Sequence, residues 1–344
     1  MTRGMKLLVC GGAGFIGSAF VRRMLDQHSD WEIVCLDKLT YAGNLDNLLP
    51  VAENPRYSFV RADIGDRAAV DAAIDSAGGV DAIVNFAAET HVDRSIAEPE
   101  AFLHTDILGT HTLLELVRER GIAKMVQVST DEVYGSIDSG SFCETDRINP
   151  SSPYSASKAG GDLQVLAYHT TFGTPALITR GSNTYGPYQY PEKLIPLFVT
   201  NAIEGGKLPL YGDGLNVRDW LHVDDHADGI AAALIHGDPG EVYNIGGGNE
   251  RTNREITTII LDELGLEWDA TVEQVTDRPG HDRRYSITCA KAGEKLDWKP
   301  QIDFAYGLRE TIRWYRDNTS WWSKIKHHTD EFADWQKRWY DDRA

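Results

Sequence analysis

The first half of the chain alternates short apolar runs with longer amphipathic segments. Apolar runs of strand length occupy residues 6–10, 33–37, 57–60, 82–87, 125–130 and 176–179. Helical patterns separate most of them, at 15–25, 101–120 and 155–172. Strands that alternate with helices predict an α/β fold of the Rossmann type, with a doubly wound parallel sheet.

This pattern changes after about residue 181. Loops rich in proline and glycine then separate a short strand at 241–246 from helices at 253–264 and 306–315. The change predicts a first domain over residues 1–180, to which later segments can return. Residues 181–344 are predicted to form mainly a smaller, mixed α/β lobe, with the Trp-rich tail from 318 as a peripheral helix or arm.

Composition and charge argue against several classes of protein. The chain has 344 residues and a net charge of −18, which argues against nonspecific binding to nucleic acid or to an anionic membrane. Its N-terminus, "MTRGMKLLVCGG", resembles neither a signal peptide nor a membrane span. Cys10, Cys35, Cys143 and Cys289 form no metal-ligand pattern, so we expect free thiols in the cytoplasm and no metal site.

A glycine-rich turn follows the first predicted strand. In "CGGAGFIGS" (10–18), Gly11 allows a tight turn, Gly14 lets the backbone approach a pyrophosphate, and Gly17 lets the helix pack close to the sheet. Asp37 lies twenty residues after Gly17, at the end of the second strand. A carboxylate there binds a ribose diol and disfavours the extra phosphate of NADP, so the pattern predicts NAD as cofactor.

The remaining cofactor contacts are expected at the ends of the next strands, where "ADI" (62–64) and "FAAE" (86–89) lie. The full predicted set of cofactor-binding residues is Gly11, Gly14, Phe15, Ile16, Gly17, Asp37, Lys38, Thr40, Gly43, Asp63, Ile64, Phe86, Ala87, Ala88, Thr105, Tyr154 and Lys158.

Tyr154 and Lys158 form a second candidate site, in "PYSASK" (153–158). Four residues apart at a helix start, they face the same way. A lysine ammonium and an oxidised nicotinamide nearby would favour the phenolate. Lowering the tyrosine pKa from about 10 to about 7 requires roughly 4 kcal/mol, at about 1.4 kcal/mol per unit. Thr130 supplies a hydroxyl that can share the substrate's oxygen.

The fifth apolar run ends in "VSTDEVYG" (128–135), where a hydroxyl is followed by two adjacent acids, Asp131 and Glu132. Neighbouring carboxylates repel each other and resist burial, so their placement side by side requires an explanation. The residues themselves predict Thr130, Tyr154 and Lys158 as catalytic, and the two acids adjoin Thr130.

Together, "GGAGFIG", "VSTDEVYG" and "YSASK" resemble the extended short-chain dehydrogenase/reductases that act on nucleotide sugars. The resemblance covers nearly the whole chain. It narrows to the dTDP-glucose 4,6-dehydratases at "AAETHVDRSI" (87–96), "YGPYQYPEKLIPLF" (185–198), "LYGDGLNVRDWLHVDDHA" (210–227) and "DRPGHDRRY" (277–285). Related epimerases share the glycines and the Tyr/Lys pair but carry small residues in place of the two acids.

The resemblance implies a reaction in three steps. Tyr154 takes the proton of the sugar 4-hydroxyl as C4 gives hydride to NAD⁺. Glu132 then removes the acidified C5 proton while a protonated Asp131 donates to the departing 6-hydroxyl. Hydride returns to C6 and a proton to C5, so NAD is regenerated and should stay tightly bound.

The resemblance also implies the substrate contacts. Cations for the diphosphate are expected at Lys193, Arg218 and Arg278, Thr90 is expected near the sugar, and Tyr211 near the thymine. The predicted substrate-binding set is Thr90, Thr130, Asn183, Lys193, Leu194, Pro209, Tyr211, Arg218, Asn253, Arg278 and His281. We expect His91, His222 and His226 to be structural hydrogen-bonding residues.

Two positions depart from the family pattern in "RGSNTYGP" (180–187). Gly181 stands where a cysteine is commoner, and Thr184 where a second asparagine is commoner. The implied substrate is dTDP-glucose, and helices 101–120 and 155–172 are expected to pair in a homodimer as a four-helix bundle. The alternatives are a 4-epimerase, a dehydratase acting on another nucleotide, and a non-catalytic NAD-binding regulator.

Overall fold

The computed structural model describes residues 4–277 and 281–337. A seven-stranded parallel sheet forms its centre, in the order β10-β6-β5-β4-β1-β2-β3. Its strands are β1 (Lys6–Cys10), β2 (Glu32–Asp37), β3 (Tyr57–Arg61), β4 (Ala82–Asn85), β5 (Lys124–Thr130), β6 (Ala176–Gly181) and β10 (Val242–Ile245). The prediction of a doubly wound Rossmann-type sheet is confirmed.

Helices cover both faces of this sheet. They are α1 (Phe15–Gln27), α2 (Arg67–Ser76), α3 (Val92–Ala97), α4 (Pro99–Phe102), α5 (Thr110–Arg120), α6 (Pro153–Phe172), α8 (Val223–His236) and α11 (Ala290–Leu296). Side chains alternate along β1, because Leu7 packs with α1 and α8 on one face while Leu8 packs with α2, α5 and α6 on the other. This two-sided burial explains why the strands read as continuous apolar runs.

The second lobe contains two small sheets, formed by β7 (Asn183–Tyr185), β9 (Val217–His222) and β11 (Glu250–Thr252), and by β8 (Leu208–Tyr211) and β12 (Val272–Val275). Its helices are α7 (Leu194–Ile203), α9 (Asn253–Leu264), α10 (Trp268–Thr271) and α12 (Phe304–Asp317). The strand predicted at 241–246 does not belong to this lobe: β10 returns to the main sheet, where Val242 pairs with Ile178.

The helix predicted at 101–120 is interrupted. A π-helical stretch, Leu103–Gly109, joins α4 to α5. The wider turn accompanies a buried Asp106, whose carboxylate accepts a hydrogen bond of 2.6 Å from Ser157 of α6. Helix α6 approaches closely there, since a Cβ on Gly161 would lie 2.7 Å from the carbonyl oxygen of Asp106.

The tail forms α13 (Thr319–His328) and α14 (Asp330–Gln336), which pack back onto both lobes. The indole of Trp321 donates to Asn47 at 3.0 Å, beside the loop that follows β2. Trp335 contacts the ring of His91 edge-on. The tail therefore holds segments that lie next to the cavities described below. Among the described residues, no helix is long and apolar enough to cross a membrane.

Candidate active site

A cavity opens at the carboxyl ends of the central strands, where β1 lies between β2 and β4. This is the crevice where open α/β sheets bind their ligands. Every residue that the sequence predicted to contact the cofactor lines this cavity, from Gly11 in the first turn to Lys158 on α6.

The glycine turn has the geometry of a dinucleotide cradle. Gly11 adopts φ +73°, and a Cβ there would lie 2.4 Å from the backbone nitrogen of Ala87. A Cβ on Gly17 would lie 2.3 Å from the carbonyl oxygen of Gly11, so this position holds α1 against the turn. At Gly14 the closest atom would be 3.3 Å away. The backbone around α1 therefore fits a pyrophosphate at the helix N-terminus.

Asp37 is fixed by the backbone around it. Its Oδ2 accepts from the amide of Ala13 at 2.9 Å, and its Oδ1 accepts from the amide of Leu39 at 2.8 Å. Burial raises the pKa of this carboxyl, while the two amide hydrogen bonds oppose that shift. The carboxylate is thus held at the cavity wall with capacity to accept from a ribose diol.

Tyr154 and Lys158 lie one turn apart at the start of α6. Ser152 caps this helix and Pro153 occupies its first position, which fixes where the helix begins. The ammonium of Lys158 is buried and donates to the carbonyl of Val128 at 2.9 Å. The pair faces the cavity together, as its spacing predicted.

The environment of Tyr154 opposes its ionisation in the protein alone. Burial and the charges of Glu132 and Asp106 raise the pKa of Tyr154 well above 10, although hydrogen bonding to Thr130 acts in the opposite direction. A phenolate would therefore need positive charge nearby. Lys158 and a bound oxidised nicotinamide are the groups that can supply it.

The two acids follow directly from β5. Thr130 caps the short 3₁₀ helix Asp131–Tyr134, accepting from the amide of Glu132 at 3.3 Å. Asp131 is 3% exposed, and burial together with the charges of Glu132 and Asp219 raises its pKa well above the ordinary value. Glu132 lines the next cavity instead. The neighbours thus occupy different surroundings, which favours a neutral Asp131 beside an ionised partner.

A second cavity adjoins the first, and Tyr154 and Lys193 line both. The predicted substrate-binding residues on its wall are Asn183, Lys193, Leu194, Pro209, Tyr211, Arg218, Asn253 and His281. Thr90 lines the first cavity, Thr130 lies at the end of β5, and Arg278 lies outside the described residues. The structure therefore brings most of this set together around Glu132.

Arg218 is held in β9 at this wall. Its guanidinium donates to the carbonyl of Val217 at 2.7 Å and to the carbonyl of Asp282 at 3.0 Å. It also lies 4.2 Å from the centre of the Tyr285 ring. A buried cation fixed in this way is suited to an anionic ligand, because its orientation is set in advance.

Sequence reasoning missed several residues of the second cavity, among them Glu192, Asp93 and Tyr285. The buried Glu192 accepts from Nε of Arg94 at 3.0 Å, and Arg94 in turn lies 3.6 Å from the centre of the Tyr41 ring. Glu192 stands next to Lys193 in the chain, which is the one signal that could have found it. Its partner is 98 residues away, so no local pattern reveals the pair.

The two departures from the family pattern meet at one histidine. A Cβ on Gly181 would lie 2.4 Å from Cε1 of His226. The hydroxyl of Thr184 lies 2.7 Å from Nδ1 of the same ring. Burial lowers the pKa of His226 to about 4, so the ring is neutral at pH 7. Gly181 leaves the space that the imidazole occupies, and Thr184 binds it, which agrees with the predicted structural role of His226.

The other two histidines are also held by neighbours. Nδ1 of His222 accepts from the amide of Asp224 at 3.2 Å and caps α8. His91 adopts φ +108° at the start of α3, and its ring packs against Trp335. Both contacts agree with the structural role predicted for these histidines, and His91 also lines the second cavity.

Comparison with known proteins places the chain in a family. A family model described as GDP-mannose 4,6 dehydratase matches residues 8–311. The chain belongs to this family. It is 53% identical over 327 residues to a dTDP-glucose 4,6-dehydratase of Streptomyces antibioticus, an alignment that covers 94% of this chain and 96% of the relative.

Solved structures of related enzymes are also similar to this chain. A dTDP-glucose 4,6-dehydratase of Streptomyces venezuelae, crystallised with NAD bound, is 56% identical, with a TM-score of 0.90 over 94% of this chain and all of that one. A UDP-glucose 4-epimerase of Thermus thermophilus in complex with NAD is 30% identical, with a TM-score of 0.84 over 91% of this chain and all of that one. The shared fold thus hosts both reactions, and the residues of the site must distinguish them.

Proposed function

We propose that this protein is an NAD-dependent dTDP-glucose 4,6-dehydratase, which forms dTDP-4-keto-6-deoxyglucose for deoxysugar biosynthesis. One observation carries the proposal: a buried acid, Asp131, and a cavity-facing acid, Glu132, stand together beside Tyr154. Oxidation at C4 needs only the tyrosine and the cofactor. Loss of water across C5 and C6 needs an acid and a base in addition.

The residues divide the chemistry as follows. Tyr154 takes the proton of the 4-hydroxyl, with Thr130 sharing a hydrogen bond to the same oxygen. Bound NAD⁺ would accept hydride from C4 and later return it to C6. Glu132 removes the C5 proton, which the 4-ketone has made acidic, and Asp131 protonates the departing 6-hydroxyl.

The surroundings of the two acids support this division. Burial, followed by the charges of Glu132 and Asp219, raises the pKa of Asp131 well above its ordinary value and so favours its protonated form. A carboxylic acid kept neutral in this way can act as a proton donor. Glu132 lies on the wall of the second cavity, where a sugar C5 proton can reach it.

The second cavity supplies the proposed anchors for the nucleotide diphosphate. Arg218, Lys193 and Arg278 are the proposed cations, Asn183, Asn253 and His281 the polar contacts, and Tyr211 the neighbour of the thymine. We propose a cofactor domain over residues 1–180, to which α8, β10 and α11 return, and a mainly substrate-binding lobe within residues 181–344. We also propose a cytoplasmic location, which the lack of a disulfide among the four cysteines supports.

We propose further that the protein is a homodimer in which α5 and α6, with the π-helical stretch, pair across a two-fold axis as a four-helix bundle. Large apolar side chains on these elements are solvent-exposed in the single chain, namely Leu103, Leu108, Leu163 and Phe172. A surface of this kind favours self-association, because covering it removes apolar area from water.

The runner-up function is a 4-epimerase on another nucleotide sugar, in view of the likeness to the Thermus thermophilus enzyme. An epimerase needs no acid to expel the 6-hydroxyl, so a buried Asp131 next to Glu132 argues against it.

The deciding experiment incubates the purified protein with dTDP-glucose and follows the 4-keto-6-deoxy sugar by mass spectrometry and by its absorbance in alkali. We expect this product without added reductant, and none with Tyr154→Phe. Accumulation of dTDP-galactose instead would support the epimerase. Conversion of UDP-glucose or GDP-mannose in preference to dTDP-glucose would contradict the proposed nucleotide.

A further inference from the structure

Tyr285 stands between Glu132 and the protein surface, and the reaction as described above gives it no role. It is 4% exposed and lines the second cavity. Its amide donates to the carbonyl of Val217 at 3.3 Å, and its ring lies under the guanidinium of Arg218. Backbone and ring are therefore both fixed, so the position of the phenol oxygen is fixed as well.

This oxygen touches two carboxylates. It lies 2.6 Å from Oδ2 of Asp282 and 3.5 Å from Oε2 of Glu132. Hydrogen bonds of catalytic groups are often long in structures without substrate and shorten when substrate binds. The phenol thus bridges the proposed C5 base to a second acid.

Asp282 connects this bridge to the protein surface. Its side chain is half-buried, and its Oδ2 also accepts a hydrogen bond from the hydroxyl of Ser151, an exposed residue just before α6. Glu132, Tyr285, Asp282 and Ser151 form a continuous chain of oxygen atoms from the cavity to the surface.

We propose that Tyr285 and Asp282 carry the abstracted C5 proton from Glu132 to solvent. This inference rests on the proposed function. When Glu132 has taken the proton, its carboxylic acid donates to the phenol oxygen as the phenol gives its own proton to Oδ2 of Asp282. One O–H bond breaks and one forms at each transfer, Glu132 returns to carboxylate, and Asp282 releases the proton to water.

The transfer passes through the phenol without leaving it charged. Burial and the charge of Glu132 hold the pKa of Tyr285 far above its ordinary range, so a resting phenolate is excluded. Proton gain and proton loss at Tyr285 must therefore be concerted. The proton leaves one carboxyl group, that of Glu132, and arrives at another, that of Asp282, so the transfer requires no strong acid or base.

An isotope experiment tests this route. dTDP-glucose carrying deuterium at C5 is turned over once in ordinary water, and the product is quenched early with borohydride, which prevents later exchange beside the ketone. With the wild type we expect the deuterium to be lost to solvent. Tyr285→Phe removes the hydroxyl that passes the deuteron on to Asp282, so we expect Glu132 to return the same deuteron and the product to retain most of the label.

Two further variants make the test decisive. Asp282→Asn removes the acceptor of the proton and should also retain the label, at a residue near the surface where folding is little affected. Tyr243→Phe is the matched control: Tyr243 is a buried tyrosine in β10 whose hydroxyl accepts from the backbone amide of Asp238 at 3.0 Å, away from this chain of oxygens. It should lose the label as the wild type does.

Slow turnover cannot imitate the expected result, since a longer-lived intermediate would lose more label rather than less. Complete loss of deuterium in both Tyr285→Phe and Asp282→Asn would overturn the proposal, and so would retention by the wild type. Failure of the proposed function gives a different result, because no 4-keto sugar would then form with the wild type.

Discussion

The hydroxyl of Thr184 lies 2.7 Å from Nδ1 of His226, and the imidazole occupies the space that a side chain at residue 181 would need. Three residues from β6, β7 and α8 are thus coupled to one another. This arrangement accounts for two departures from the family pattern through one contact. It also makes the coupling measurable.

Gly181→Ala should destabilise the protein. The new Cβ would lie 2.4 Å from Cε1 of His226, and the ring is buried and bound by Thr184, so it cannot move away cheaply. Overpacking of this kind costs roughly 1–3 kcal/mol in the free energy of unfolding, measured by urea titration. In a His226→Ala background the cost should largely vanish. Gly206→Ala, where the closest contact would be 3.4 Å, is the control. Equal costs in both backgrounds would contradict the coupling.

His226 should make stability depend on pH. Burial lowers its pKa from 6.5 to about 4, so below pH 6.5 the unfolded chain binds a proton that the folded chain does not. Stability is therefore lost as pH falls from about 6.5 towards 4, by up to roughly 3 kcal/mol at about 1.4 kcal/mol per unit. As the pH is lowered across this range, the midpoint of unfolding should fall less steeply in His226→Gln than in the wild type. His236→Gln, an exposed position on the same helix, should leave the slope unchanged. A His226→Gln slope equal to the wild type would refute this assignment.

The two acids should affect different steps from Tyr154. With dTDP-glucose in a single turnover, Asp131→Asn and Glu132→Gln should still reduce the bound cofactor and then stall, visible as persistent NADH absorbance. Tyr154→Phe should show no reduction. Overall turnover of the acid variants should fall about 10²–10⁴-fold, the usual contribution of a general acid or base. Normal turnover in Glu132→Gln, or a block of Asp131→Asn at the same step as Tyr154→Phe, would show that this division of roles is wrong.

Asp37 should set the preference for NAD. Denatured protein should release NAD(H) although none was added. Asp37→Asn keeps the shape and can still accept from Ala13, but it loses the charge that binds the ribose diol and repels a 2′-phosphate. One hydrogen bond to a charged group contributes about 1.5–3 kcal/mol, so NAD affinity should fall roughly 10–100-fold while affinity for NADP rises. Calorimetric titration of both cofactors measures this; an unchanged ratio of the two affinities would count against the role.

The proposed dimer can be tested on the exposed apolar surface of α6 and the π-helical stretch. Leu163→Glu places a charge where the two-fold pairing would bury it, so the solution mass at micromolar concentration should fall to that of one chain. Leu49→Glu is the matched control, because Leu49 is also exposed but lies in a separate 3₁₀ helix. A wild-type mass equal to that of a monomer would refute the homodimer directly.

Sequence reasoning predicted the features that leave a local pattern. Parallel strands buried on both faces read as apolar runs, and the glycine turn, the acid pair and the Tyr154/Lys158 spacing are contiguous in the chain. The sequence allowed later segments to return to the first domain, but it did not predict that β10 is one of them, because its pairing with β6 joins segments far apart in the sequence. For the same reason, the sequence did not reveal the Arg94–Glu192 pair. Nor did it reveal the contact between Tyr285 and Glu132, which are 153 residues apart. The π-helical stretch leaves no change in hydrophobic period that could reveal it.

The contact of Trp321 with Asn47 spans 274 residues of chain, and its consequence concerns synthesis. The segment after β2 is synthesised long before α13, which contacts it. Asn47 already has partners within the first domain, Ala13 and Arg22, but its contact with Trp321 requires the closure of a long segment, which costs conformational entropy. The nascent chain can therefore assemble β1 to β6 first, and the packing of the tail against the segment after β2 forms only once α13 has been synthesised.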